Sequence, residues 1–569
     1  MILGNRYTYT LELSNPPERR KPSKINTGTP YTLVQGVPKP MCANLNAETN
    51  FNLALPFYES ARKHPIKLAL WADGKEFSYK EMLEEVLRTV NWLCLDGATP
   101  KRVGILASRS SDACIGILAA TWVGAAYVPI NLALPEAGLI GILNRSSLDA
   151  LIADSTGSKI LSAHVLEACP AKVLARQEHI PDTATSSTMD YHELRSSISF
   201  MEPVFVDQKA PGYMIYTSGS TGVPKAVAVP VGAVDHFFRA LDIKYPLTEN
   251  DRVVETSPTS GDISVYNMFS TWRAGASLHI IPESQVMAPA KFIQEHRITM
   301  WYSVPSIAAL MAKMDFLKPG AFPSLRQTMF CGEPLLSSTA AAWQAAAPFS
   351  TVTNMYGPTE ATVMCLGEDY GPGCAVTRDW VAIGRPYPGM KAAIATPELH
   401  WVADGESGEL LLSGPQLALG YVDNEEKTRS SFVEIDDERW YRTGDLAYKD
   451  SNGVFHFLGR IDHQVKVLGY RIELGEVECH LRDVSGCDSV AAVAWPQYGG
   501  SASGIVAFLG GFAGPTSKLK AAMQQRLPNY MVPSRFLILP ELPLNSNRKV
   551  DRKKLLAMLN QQSSVETSR

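Results

Sequence analysis

The segment YTSGSTGVPK at 216–225 places four Ser/Thr hydroxyls and two glycines ahead of a lysine. It follows the apolar run GYMIY, so a strand empties into a loop of hydroxyls and glycines. Glycines let the backbone wrap closely round a phosphate, whose oxygens accept from backbone N–H groups and hydroxyls. Thr217, Ser218, Gly219, Ser220, Thr221 and Gly222 supply those neutral donors, and Lys225 adds a positive charge. A Walker loop needs its lysine directly after the second glycine and a Ser or Thr next; here Val223 and Pro224 intervene. The pattern predicts a phosphate-holding loop of another kind, its plain alternative being a Ser/Gly surface turn.

Further segments could carry chemistry with it: WVGAAYVPI at 122–130, NMYGPTE at 354–360, YRTGD at 441–445, GRIDHQVK at 459–466 and NSNRK at 545–549. Taken singly, a tyrosine is commonly core, a glutamate at a turn solvated, and an aspartate after glycine a helix cap. Together, in this order, they resemble the adenylate-forming superfamily of acyl-CoA synthetases, luciferases and peptide-synthetase adenylation domains. The likeness covers roughly residues 51–560 and points to the adenylation domains, here apparently stand-alone. It implies that a carboxylate attacks the α-phosphorus of ATP while pyrophosphate leaves, so catalysis is mostly charge neutralisation and positioning.

The resemblance implies a role for each matching position. Thr217 to Lys225 would hold the β- and γ-phosphates. Tyr356 would face adenine, with Gly332, Glu333 and Pro334 closing that pocket, flanked by Asn354, Met355 and Gly357. Thr359 would reach the α-phosphate, and Glu360 offers the oxygen ligand that Mg2+ prefers. Asp445 would accept from both ribose hydroxyls, with Arg460 beside it. Lys549 would bridge the substrate carboxylate and the α-phosphate, although it also lies in a basic run, RKVDRKK, that suits a solvated face. Asp462 would be the hinge about which a small mobile domain turns, exchanging the Lys549 face for one near Lys466 and Gly469 that serves thioester formation. Three positions depart from the family pattern: Ala226 and Arg548 stand where glycine is usual, and Gly261 where phenylalanine is common.

The same resemblance aligns SPTSGDISVYNMF with the substrate pocket and places Asp262 opposite a substrate α-amino group. A carboxylate in so apolar a context needs a cationic partner, unless it is instead the N-cap of the helix that follows. The carried-over pocket is Asp262, Ile263, Tyr266, Tyr302, Met329, Cys331, Met355, Val363 and Met364. Nothing beyond Asp262 is charged, so an acidic or basic substrate side chain is disfavoured and a small or modest apolar amino acid expected. Tyr266 and Tyr302 could also form part of a cation–π box for an N-methylated ammonium such as a betaine. Aminoacyl-AMP would then pass to the phosphopantetheine of a carrier protein acting in trans, or to CoA. Against this stand an acyl- or aryl-CoA ligase, for which Asp262 has no use, and a non-enzymatic nucleotide-binding scaffold.

Such a site needs rigid elements. At 569 residues the chain is too long for one core. Residues 1–50 read as an arm. Over 51–460, short apolar runs alternate with amphipathic stretches, as in VGILAS, SDACIGILAATWVG and AAYVPIN, the grammar of parallel sheets covered by helices. The expected fold is α/β, a large domain of parallel sheets plus a small β-barrel near 383–460, then a small α+β lid over 461–560 and a tail at 561–569. The sequence after Lys554 is polar and expected to fray. The uncharged run at 113–135 could span a bilayer, but Gly116, Gly124, Pro129 and Asn131 favour a buried helix running into a buried strand. A net charge of −4 gives no basic surface for nucleic acid. Nine scattered cysteines without a CxxC pair suit reduced thiols and a cytoplasmic protein with neither membrane nor structural metal.

Overall fold

The computed structural model describes residues 51–180, 187–194, 200–219, 223–462, 464–467, 469–498, 501–544 and 550–567. The arm expected over 1–50 lies outside the described residues.

Two large sheets carry the first part of the chain. One has eight strands, six of them parallel neighbours in the run Pro211–Thr217, Ala126–Pro129, Arg102–Leu106, Ala150–Ala153, Lys172–Ala175 and Ser187–Asp190. The other has nine, with a parallel centre of Thr351–Tyr356, Gln327–Phe330, Met300–Ser303, Arg252–Glu255, Ser277–Ile280 and Leu68–Ala72. A single apolar core joins strands of both sheets to the helices Ser111–Trp122, Val231–Lys244 and Ile263–Arg273. The first of these is buried at every position from Ala113 to Trp122, which is why its sequence shows no polar face. Ser110 starts it by accepting from the Ala113 N–H, and Gly124, at φ 79°, turns the chain into the strand Ala126–Pro129. The uncharged run is thus helix, turn and strand, and among the described residues no helix is long and apolar enough to cross a membrane.

The region expected as a small barrel is a five-stranded antiparallel sheet built on the long strand Glu438–Lys449. Beyond it, the strands Gln464–Val467 and Tyr470–Glu473 form a hairpin, and Val490–Ala494, Ile505–Gly510 and Arg535–Leu539 form a three-stranded sheet. The helices Leu474–Ser485 and Thr516–Gln524 pack with these strands around a separate core. The expectation that the chain frays after Lys554 is corrected: Arg552–Thr567 is one helix. Leu555 and Leu559, four apart and fully buried, pack it onto Ala491, Val493 and Phe508. Leu556 and Met558 pack against the same cluster. Every cysteine among the described residues is free.

One buried acid gives the fold a pH dependence. Glu255 ends its strand with Oε1 accepting from the Ser257 N–H (2.9 Å) and Asn267 Nδ2 (3.0 Å), while Oε2 has no partner among the described residues. Burial pushes its carboxyl up to about 7, against the lowering pull of those donors and of Arg109. The folded protein therefore keeps a proton that the unfolded chain releases near pH 4.5. The stabilisation is complete below that value and is lost as pH rises through about 7, amounting to about 3 kcal/mol by pH 8. Glu255→Gln cannot titrate, so its melting temperature should fall less than the wild type's between pH 6 and 8.5. Parallel profiles in a thermal melt would contradict this assignment.

Candidate functional site

The phosphate-loop segment is a hairpin connection in the eight-stranded sheet: Pro211–Thr217 pairs antiparallel with Lys225–Pro230, Thr217 opposite Lys225. A Cβ at Gly219 would sit 2.0 Å from the Val223 carbonyl oxygen, so only glycine fits there. Ala226 lies in regular strand opposite Tyr216, and the glycine usual in the family is not needed. Lys225 stands 5.0 Å over the Tyr421 ring; burial first, then Arg471, hold its pKa below the usual lysine range. Ser220, Thr221 and Gly222 lie outside the described residues, as does the whole NSNRK segment with Arg548 and Lys549.

One cleft gathers nine of the expected nucleotide residues: Gly332, Glu333, Pro334, Asn354, Met355, Tyr356, Gly357, Asp445 and Arg460. The parallel strands Gln327–Phe330 and Thr351–Tyr356 deliver most of them at their carboxyl ends, the usual ligand position in such sheets. Trp380, Ile383 and Phe457 complete an apolar wall that sequence reasoning missed, because single aromatics in β-rich sequence carry no signal of their own. Tyr356 donates to Asp445 Oδ2, and Arg460 Nη1 donates to Asp445 Oδ1 at 2.8 Å. Arg460 also grips Asp462, its Nε 2.9 Å from Oδ1. Asn354 Nδ2 is spent on the Val381 and Ala382 carbonyls, both at 2.9 Å, which fixes the strand end.

The hairpin after Asp462 reaches into this cleft. Lys466 lines it, and burial, more than the nearby Arg471, lowers its pKa. The Gly469 N–H donates to Glu333 Oε1 at 2.7 Å, while Glu333 Oε2 accepts from the Ser306 N–H at 2.9 Å. At φ 84°, and with Val304 Cγ1 only 2.8 Å from where a Cβ would stand, position 469 requires glycine. Arg471, which no motif reading singled out, donates from Nη1 to Glu360 Oε2 at 2.9 Å, and its carbonyl accepts from Ser218 Oγ at 2.9 Å. Tyr421, equally unforeseen, donates to Glu360 Oε1 at 2.8 Å. Burial would push the Glu360 carboxyl up, but Arg471, the Tyr421 hydroxyl and Lys225 outweigh it and hold it down at about 2. Glu476, also new, is buried; burial pushes its carboxyl up to about 7, against a lowering pull from the Gly219 N–H.

Asp262 stands at the N-cap position of the helix Ile263–Arg273, yet its side chain makes no capping bond. Oδ2 accepts instead from Thr359 Oγ1 at 2.8 Å. Enclosure raises its carboxyl above the usual carboxylate range, against the pull of the Thr359 bond and of Lys466. Tyr266, Tyr302, Met329, Cys331, Met355, Val363 and Met364 are buried in one core cluster, with Ile263 packed against it. Tyr266 and Tyr302 meet edge to face at 5.6 Å, and neither hydroxyl has a hydrogen-bond partner among the described residues. Thr362 and Val363 both hold positive φ, 57° and 66°, a costly conformation for β-branched residues that aims Val363 and Met364 into this cluster. At Gly261 a Cβ would meet nothing nearer than 3.4 Å, so the structure leaves room for a larger residue.

Parallel sheets ending in a cleft lined by the expected nucleotide residues, a glycine-and-hydroxyl loop and a second unit reaching in to cover them define an adenylate-forming ligase. The family model described as AMP-binding enzyme matches residues 57–422, and the chain belongs to that family. It is 32% identical over 520 residues to the delta-poly-L-ornithine synthetase of Acinetobacter baumannii, covering 89% of this chain and 36% of that one. The chain thus spans little more than a third of that relative. It is 30% identical over 502 residues to the D-alanine–D-alanyl carrier protein ligase of Bacillus cytotoxicus, covering 86% and 95%. The crystal structure of the Vibrio cholerae adenylation domain AlmE with glycyl-adenosine-5'-phosphate superposes with a TM-score of 0.81 at 31% identity, covering 92% of this chain and all of that one.

Proposed function

We propose that the protein activates a small or apolar amino acid with ATP to the aminoacyl-AMP and passes it to the phosphopantetheine thiol of a carrier protein. The carrying observation is Asp262: a half-buried carboxylate at a helix start that does not cap the helix and has one hydroxyl, from Thr359, as its hydrogen-bond partner among the described residues. A substrate ammonium is the missing cation. The three relatives described above carry ornithine, D-alanine and a glycyl adenylate in their names, which supports the amino-acid class. A pocket crowded by two tyrosines and by Met329, Met355 and Met364 supports a small side chain.

In this reading Thr217, Ser218, Gly219 and Lys225, with Ser220, Thr221 and Gly222, hold the β- and γ-phosphates. Tyr356 and the Gly332–Pro334 turn (residues 332–334) enclose adenine. Asp445 exchanges the Tyr356 hydroxyl for those of ribose, with Arg460 kept beside it. Thr359 bridges the two reacting ends, since its hydroxyl already contacts Asp262 and it neighbours Glu360. Among the described residues no three His, Cys, Asp or Glu side chains cluster to cage a metal, which suits an ion held by Glu360 alone and completed by substrate phosphates. Magnesium bound there would supply charge neutralisation at those phosphates. Lys549 serves the first half-reaction, and Lys466 and Gly469 the second, turning about Asp462.

A panel of amino acids, glycine betaine and amine-free acids in an ATP–pyrophosphate exchange assay tests the class. Exchange with small amino acids is expected. Exchange with an amine-free acid alone would move the protein to the acyl-CoA ligases.

A further inference from the structure

A buried amide holds the strained turn that carries Val363 and Met364. Gln416 lies between the strands Ser407–Ser413 and Gly420–Tyr421 and is fully buried. Its Nε2 donates to the Met364 carbonyl at 3.0 Å and lies 3.5 Å from that of Thr362. In return, Thr362 Oγ1 donates to the Gln416 backbone carbonyl at 2.6 Å. The Met364 N–H donates two residues back, to the Thr362 carbonyl at 2.8 Å, closing a γ-turn on Val363 at its φ of 66°. A γ-turn of this hand is rare and strained, and a β-branched residue at its centre makes it more so. Gly357 of the cleft packs against the turn, at a position where a Cβ would clash with the Met364 Cα.

We infer that Gln416 is a positioning residue for substrate selection: it keeps the turn over residues 362–364 in its strained form and so fixes how far Val363 and Met364 fill the pocket. A conformation this costly persists only where its surroundings over-determine it. Thr362, the residue before, is also held at positive φ, so the chain itself supplies no preference for this path. The amide supplies one by tying both ends of the turn, through the Met364 carbonyl and the Thr362 hydroxyl. Without it the Met364 carbonyl loses a buried donor, and the turn is free to relax toward negative φ. Val363 and Met364 then no longer stand at a fixed depth. A firm apolar wall discriminates one methylene by about 10- to 200-fold, and a wall free to move discriminates less. Gln416 acts through these two side chains and not by touching substrate itself. This inference rests on the reading that the pocket takes a small or apolar amino acid.

The unbranched series glycine, alanine, 2-aminobutyrate, norvaline and norleucine measures pocket depth in ATP–pyrophosphate exchange with the full chain. The quantity read is kcat/KM for the member that wild type prefers, divided by that for the next longer one. Gln416→Leu should lower this ratio about tenfold, chiefly by lowering KM for the longer acid. Thr362→Val keeps the side-chain shape and removes the bond to the Gln416 carbonyl, and it should lower the ratio about threefold, the effect of one hydrogen bond. A merely structural loss lowers kcat for every member alike and leaves the ratio where it was. Should Gln416→Leu fail to fold, Thr362→Val decides alone. An unchanged ratio in either folded variant would overturn the inference, while wild-type turnover of the series leaves the amino-acid reading standing. A wild type that prefers norleucine, or turns over no member, sinks the small-side-chain reading and this inference with it.

Discussion

Replacing Lys549 by alanine should lower amino-acid-dependent ATP–pyrophosphate exchange by a factor on the order of 10²–10³, the usual cost of removing one group that stabilises transition-state charge. The first half-reaction brings a carboxylate against the α-phosphate, two anions whose repulsion must be cancelled where the bond forms. An ammonium on a flexible stem can follow that charge as it develops. In the proposed mechanism Lys466, which lines the cleft, serves the other half-reaction and would not stand in at the same moment. The loss should therefore fall on adenylation, while thioester formation from supplied aminoacyl-AMP persists. Exchange within twofold of wild type would remove Lys549 from the mechanism.

Asp262→Ala should be as damaging, but selectively. Truncating one side of a desolvated charge pair costs about 2–5 kcal/mol, so kcat/KM for the amino acid should fall by about 30- to 5,000-fold. An acid of the same shape without the amine never made that contact, and its slow turnover should change by less than about threefold. Because Asp262 makes no capping bond, the helix Ile263–Arg273 should survive the change, and an unaltered melting temperature would show that it does. Equal losses for both substrates would mean that the carboxylate shapes the pocket without pairing with the ammonium. Since enclosure raises the Asp262 pKa, KM for the amino acid should also rise as pH falls through the folded-state value, with no such rise in the alanine variant.

The elements legible in the sequence were those whose signal is contiguous. GYMIY reads as a strand because five apolar or aromatic residues run straight into glycines and hydroxyls, and it is the strand Pro211–Thr217. The helix over Ser111–Trp122 declares its start through Ser110 and its end through Gly124. The cleft residues 354–357, 445 and 460 were found as motif text and 332–334 through the family resemblance, and the convergence of 332–334 with 354–357 follows from neighbouring parallel strands ending on one side. The contacts that control the site are of another kind. Arg471 and Glu360 are 111 positions apart, and Tyr421 and Glu360 61 apart. Neither pair has a local pattern, because each arises from how separately folded elements meet. Thr362 and Val363 were illegible for a different reason: propensity argues against left-handed β-branched residues, and only the surrounding packing holds them there. The helix Arg552–Thr567 was missed because two buried leucines were outweighed by a polar average.

Bond formation between the substrate carboxylate and the α-phosphorus can be followed with 18O. Purified protein, ATP, magnesium and an amino acid carrying 18O in its carboxylate are incubated with an acceptor thiol, and the products are read by mass spectrometry. Attack at the α-phosphorus leaves one 18O in the phosphoryl group of AMP, with unlabelled pyrophosphate. Label appearing in inorganic phosphate alongside ADP would mean attack at the γ-phosphorus, and the adenylate account would be wrong.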